Sequence, residues 1–209
     1  MKYFIDSEFY EDGTTIDLIS LGVVAEDGRE LYCCSTEARL DLVPEWHRKN
    51  VLPSLPPYGD DAWVTRQEMA DRLVLFTGHE VPIRSPLLDG FRGSRLPHAI
   101  DDTDAHFVAY YGDYDWVCLC QLFGTMMGLP KHFKRWCYDL KQLADDRNAV
   151  IPVKPKSAHN ALVDARWNRN LWMQLMGGAS LPVRLTRPTF AEEPEHLETQ
   201  ILETPAADP

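Results

Sequence analysis

Phe4-Ile5-Asp6-Ser7-Glu8-Phe9 sets two carboxylates, Asp6 and Glu8, one residue apart inside an apolar run near the start of the chain. Alternation and β-branched content predict a strand over residues 2–9. Side chains at i and i+2 of a strand project to one face, so the two acids stand side by side while Phe4, Ile5 and Phe9 remain for packing. Like charges ~4 Å apart repel by roughly 4 kcal/mol at an effective dielectric near 20. The pair therefore calls for a compensating cation, a shared proton or full solvation. Asp-x-Glu standing alone is equally well a solvated strand end.

Working outward, Ile16–Ala25 and Leu31–Ser35 read as a second and a third strand, with Glu11-Asp12-Gly13 and Glu26-Asp27-Gly28 as turns, which makes a three-stranded meander. From Pro44 through Trp46, Val51 and Leu52 the pattern is helical until Pro53-Ser54-Leu55-Pro56-Pro57 breaks it. Thr65 is placed to cap a helix carrying Met69, Leu73 and Phe76 at helical spacing. Residues 78–105 lose periodicity and hold Arg84, Arg92 and Arg95, the pattern of an insertion or a flap. His106–Tyr111 reads as a strand, followed at Gly112 by a helix through Trp116, Leu119, Cys120 and Phe123. That strand-to-helix step starts an α/β pattern. Asp139–Leu143 reads as a short helix and Ala161–Met176 as a long one, with Leu162, Ala165, Trp167, Leu171 and Leu175 available for burial.

Composition bounds what such a chain does. Its 209 residues, 44% apolar and 11% aromatic, are enough for one full core, assigned to residues 1–177. Residues 178–209 hold five prolines and six acids against two arginines and are expected to be a disordered tail. No stretch reaches the ~18 apolar residues of a membrane span and no signal segment is evident, so a cytoplasmic protein with no membrane partner is expected. Five cysteines fit neither a disulfide framework nor a zinc site, and reduced, mostly buried thiols are expected. A net charge of −11 argues against coating long nucleic acid through a basic surface. It leaves room for a site that grips one chain end through metal ions, because such a site needs clustered carboxylates.

Two further groups of residues supply that chemistry. Tyr110-Tyr111-Gly112-Asp113-Tyr114-Asp115 puts two acids where a strand passes into a helix, the place where α/β sheets hold ligands, although either acid alone serves equally as a cap. In Ala158-His159-Asn160-Ala161-Leu162-Val163-Asp164-Ala165 a histidine precedes an aspartate by five residues at the start of the long helix. That spacing brings both to one helix end, with Asp164 fixed as a ligand and His159 on the preceding loop able to reach a water.

Taken in order, Asp-x-Glu on the first strand, Tyr-Asp at the start of a mid-chain helix and His-x4-Asp on a C-terminal helix resemble the three motifs of the DEDDh 3′→5′ exonucleases, which have a ribonuclease H-like α/β fold. Asp17–Val24 resembles that superfamily's second strand, and Asp139–Leu143 the segment between its second and third motifs. Within the superfamily, FIDSEFYEDG, IDLISLGVVAEDGRE, YDWVCLCQLFG and HNALVDAR look most like the small mycobacterial-type bacterial 3′→5′ exoribonucleases. The resemblance covers about residues 1–77 and 106–176. It implies a mixed central sheet, a three-stranded antiparallel meander plus parallel strands, flanked by helices.

Carried over residue by residue, Asp6 and Glu8 match the first motif, Asp115 the second, and His159 and Asp164 the third. Asp113 competes with Asp115, but the family places its aspartate directly after an aromatic, as in Tyr114-Asp115. The resemblance implies two Mg²⁺ or Mn²⁺ ions held by Asp6, Glu8, Asp115 and Asp164, with His159 taking a proton from water. Glu8 and Phe9 would line the terminal nucleotide's pocket, the partner would be a single-stranded RNA 3′ end, the product a nucleoside 5′-monophosphate, and the assembly a homodimer. A DNA exonuclease of proofreading or repair type would use the same catalytic residues, and a non-catalytic nucleic-acid-binding module on this fold is the remaining alternative.

Overall fold

The computed structural model of the chain describes residues 1–78, 104–155 and 159–177. The expected flap at 78–105, apart from its ends, and the expected tail at 178–209 lie outside the described residues. Strand β1 (Lys2–Glu11) pairs antiparallel with β2 (Ile16–Ala25), and β2 with β3 (Glu30–Ser35). Gly13 and Gly28 turn the chain between them with φ of 81° and 93°, a region that costs a glycine nothing. The expected meander is present, with β2 spanning the residues read from the sequence.

The other side of β1 pairs in parallel with β5 (Ala105–Ala109), which pairs in parallel with β6 (Phe133–Asp139). A two-residue strand β4 (Trp63–Val64) adds to β3, and the six-stranded order is β4-β3-β2-β1-β5-β6. This is the mixed sheet expected of a ribonuclease H-like fold. Two strands are additions to the sequence reading. β4 is too short for periodicity to register, and β6 buries only Phe133 fully while carrying Lys134, Arg135 and Trp136 on an edge. The helix expected from Asp139 runs one turn further than read, as α4 (Leu140–Asp146), with the Asp139 carboxylate accepting from the Gln142 amide as its N-cap.

Helices cover both faces. On one, α2 (Arg66–Phe76) and α3 (Asp113–Leu122) bury Met69, Leu73 and Leu119 against Ile5, Leu21 and Phe107. On the other, α4 and α5 (Ala161–Met176) bury Leu140, Ala165 and Leu171 against Phe4, Val24 and Val108. Each fully buried large side chain contributes about 1.5–3 kcal/mol. Thr65 caps α2 through the Glu68 amide at 3.1 Å, as its position predicted. Leu162 is only partly buried, packed against the cluster beneath α5. A short helix α1 (Glu45–Asn50) and a 3₁₀ turn (Leu52–Ser54) lie between β3 and β4. All five cysteines are free, and four are buried. Among the described residues no helix is long and apolar enough to cross a membrane.

Candidate active site

Strand alternation gives Phe4, Asp6 and Glu8 one face of β1 and Ile5 and Ser7 the other. Phe4 enters the core beneath α5, so the two acids point toward the start of that helix. Helix α5 is seated there by contacts on either side of the acids. Gly22 on β2 has no side chain to hold Ala161 away, and the Asn168 amide donates to the Ile5 carbonyl at 2.8 Å, just past the last β1–β5 pair, Phe4 with Val108. Asp164, one turn before Asn168, then falls beside the β1 acids. Carboxylate oxygens of Asp6, Glu8 and Asp164 all lie within 4.8 Å of one another. The three residues expose 8%, 9% and 2% of their surface, so solvation is removed as an account of the pair.

Asp115 approaches from the opposite face. Its Oδ1 accepts from the Ser7 amide at 2.7 Å and from the Ser7 hydroxyl at 2.5 Å. The residue between the two acids of β1 thus turns away from them and fixes the acid of α3. The start of α3 is held by the Gly112 amide donating to Asp139 Oδ2 at 2.8 Å, which ties it to the β6–α4 junction. Burial separates the competing aspartates, since Asp115 is buried and Asp113 exposed.

His159 sits on the loop before α5 with φ of 74°, a conformation that costs a non-glycine residue about 1–2 kcal/mol. It is held there at both ends of its backbone. Its amide donates to Asp164 Oδ2 at 2.9 Å, and its carbonyl accepts from the Ser54 hydroxyl at 2.5 Å. Asn160 caps α5 through the Val163 amide and donates to the Ser54 carbonyl at 2.9 Å. The imidazole meets Trp46 of α1 edge-on, with centroids 4.8 Å apart. Phe9 pairs with Leu18 just past a bulge in β2 that leaves Ile19 without a partner, and its ring is parallel to Tyr114 of α3 with centroids 5.4 Å apart, so one of its faces is covered.

The electrostatics follow from this packing. Burial, with the charges of Asp164 and Asp115 adding and Lys154 opposing, pushes the Glu8 carboxyl up to about 8. Asp6 is held well above the usual carboxylate range, by burial first and then by the charges of Asp115, Asp164 and Glu8. Burial raises Asp115 to about 6 against the two hydrogen bonds from Ser7. Burial also lowers the His159 imidazole below its ordinary value, which favours the neutral form able to accept a proton. A buried set of acids that resists ionisation is the environment a multivalent cation relieves. The donors are oxygens, which suit hard divalent ions. Asp164 Oδ1, buried and without a hydrogen-bond partner though 3.3 Å from the Lys154 ammonium, is a candidate ligand atom.

Ser7, Asn168, Gly22 and Lys154 are the functional neighbours that sequence reasoning missed. Strand alternation turns Ser7 away from the acids, and a glycine amid Leu21, Val23 and Val24 is a signal of close backbone approach. Asn168 and Lys154 carry no comparable local signal.

The family model of the 3′-5′ exoribonuclease Rv2179c-like domain matches residues 1–176. The 3′-5′ exoribonucleases Rv2179c and MT2234.1, from two strains of Mycobacterium tuberculosis, are each 44% identical to the chain over 168 residues, covering 79% of it and 88% of their own length. A solved structure of 3′-end specific recognition of a histone mRNA stem-loop by a 3′-exonuclease aligns with a TM-score of 0.45 and 10% identity, over 87% of this chain and 65% of that one.

Proposed function

The chain belongs to the Rv2179c-like 3′-5′ exoribonuclease family, and from that premise we propose that it hydrolyses single-stranded RNA from the 3′ end, releasing nucleoside 5′-monophosphates. The exonuclease unit of this proposal is residues 1–177. The observation that carries the chemistry is the convergence of Asp6, Glu8 and Asp164 in a buried cluster. These three carboxylates, with Asp115 held beside them by Ser7, would hold two divalent ions, Mg²⁺ or Mn²⁺. Such ions, when bound, supply a lowered pKa for the attacking water and neutralise charge on the scissile phosphate and the departing 3′ oxygen.

The chain's own residues do the rest. Asp6, whose carboxyl feels the charges of Asp115, Asp164 and Glu8, would be a ligand to the ions, and Asp164 would present Oδ1 because Oδ2 accepts from the His159 amide. His159, neutral at physiological pH and held by Ser54 and Trp46, accepts the water's proton at a ring nitrogen. Glu8 and Phe9, opposite the bulge of β2, flank the place where the terminal nucleotide docks, and aromatic rings serve single strands by stacking on bases. With a net charge of −11, affinity rests on this local grip rather than on a long phosphate footprint.

A 5′-labelled single-stranded RNA incubated with Mg²⁺ gives a descending ladder with 5′-monophosphates as product, stopped by EDTA or a blocked 3′ end. Internal fragments from the blocked RNA refute exonucleolytic polarity. Faster digestion of the matching DNA reassigns the protein as a DNA exonuclease, and binding without cleavage as a non-catalytic module.

A further inference from the structure

One cation is already part of the carboxylate cluster. The Lys154 ammonium, on the segment between α4 and α5, lies 3.3 Å from Asp164 Oδ1 and 4.0 Å from Asp6 Oδ1. The first of these oxygens is the buried one that lacks a hydrogen-bond partner. A bonded ion pair to a buried carboxylate normally closes to 2.7–2.9 Å, so the lysine faces both acids without locking to either. The same ammonium stands over two aromatic rings, 5.4 Å from the Trp167 centroid and 5.7 Å from that of Tyr110. This one position sets the ammonium between carboxylates on one side and ring faces on the other, and its side chain is about one-third exposed. A flexible four-carbon stem lets it move off the carboxylates while staying over the rings.

The geometry points to Lys154 as a built-in competitor of the divalent cations: its ammonium occupies the carboxylate seat of the metal-free protein and withdraws over Tyr110 and Trp167 when the cations bind. This rests on the reading that Asp6, Glu8 and Asp164 hold divalent ions. Charge supports it, because the field of Lys154 opposes the raised carboxyls of Asp6, Glu8 and Asp115 alike. A +1 charge left in that seat would repel an incoming dication at the distance where it now attracts an anion. Lys154 is thus a positioning residue that sets how much Mg²⁺ or Mn²⁺ the site requires, and it keeps the uncompensated acids tolerable until the ions arrive.

Calorimetric titration of the metal-free protein with Mn²⁺ tests this. If the open seat is available about one-tenth of the time, Lys154→Met binds Mn²⁺ about tenfold tighter than wild type, and Lys154→Arg does not. Unchanged or weaker binding by Lys154→Met, with wild type binding Mn²⁺, overturns the competitor role alone. Absence of Mn²⁺ binding by wild type overturns the metal reading beneath it as well. A second measurement needs no charge-removing variant in folded form. With wild-type lysines reductively methylated with ¹³C, the Lys154 signal, assigned by its loss in Lys154→Arg, shifts on adding Mg²⁺ and saturates with the binding curve. A signal that stays in place while Mg²⁺ binds also overturns the proposal.

Discussion

Asp6 and Gly22 stand directly opposite each other across the β1–β2 ladder, and the room that a side chain at position 22 would take is filled by the first turn of α5. A Cβ on Gly22 would lie 2.2 Å from the Ala161 carbonyl oxygen and 2.4 Å from the Leu162 amide nitrogen, both backbone atoms that cannot rotate aside. The glycine opposite the first acid is what allows the helix bearing the third to come close enough to share its cluster.

Gly22→Ala therefore moves the start of α5. Overpacking of this kind costs about 1–3 kcal/mol, and the displacement carries Asp164 and His159 away from β1. The expected outcome is a melting temperature lower by a few degrees together with a loss of RNA hydrolysis and of Mn²⁺ affinity. Melting, calorimetry and a ladder assay measure the three. Full activity in Gly22→Ala would show that the close approach is not needed by the site.

Asp6→Asn removes the carboxylate that the others repel most. Loss of at least ~10³-fold in rate is expected, about 4 kcal/mol of transition-state stabilisation, while the metal-free protein melts at the same temperature as wild type or above it. An unfolded variant would instead give Asp6 a structural role.

Stability of the metal-free protein should fall as pH rises. Glu8 titrates near 8 in the fold against an ordinary value of 4.5, so between those limits the folded chain binds a proton that the unfolded chain has released. Stability then declines with pH across that window. Asp6, raised in the same direction, adds to the effect. Melting in EDTA from pH 5 to 8.5 measures the decline, Glu8→Gln flattens it, and saturating Mg²⁺ offsets it by binding the ionised acids. A melting temperature that rises across this range would contradict the burial of the acids.

Asp115→Asn should abolish hydrolysis and Asp113→Asn should spare it, since the first side chain is buried against Ser7 and the second faces solvent. Ser7→Ala is the companion variant. It frees Asp115 Oδ1 of one of two hydrogen bonds, and a partial loss of rate is expected. Parallel single-turnover assays separate the three, and equal activity of the two asparagine variants would remove Asp115 from the site.

His159→Ala is expected to lower the rate by 10²–10⁴-fold, the range of a lost general base, with Mn²⁺ affinity within about twofold of wild type. The Asp164 Oδ2 contact comes from the His159 backbone amide and survives the substitution. Rate and calorimetry together decide, and a large loss of Mn²⁺ affinity would make His159 a ligand instead.

The elements that carry the site were legible in the sequence because their signals are local. Alternation marked β1 and β2, Thr65 marked the start of α2, and the resemblance to the exonuclease motifs proposed Asp6, Glu8, Asp115, His159 and Asp164 from runs of a few residues. The aromatic before Asp115 already preferred it over Asp113, the one of the two that the structure buries. Tertiary structure alone decided the rest. It determined which oxygens of Asp115 and Asp164 are engaged, that Ser7 serves Asp115 across 108 positions, that Asn168 reaches Ile5 across 163, and that Lys154 faces the cluster. Periodicity and capping act over a turn or a pleat, whereas the burial that lifts Glu8 to about 8 is set by atoms that β1, α3, α5 and the loop of Lys154 bring to one point from remote parts of the chain.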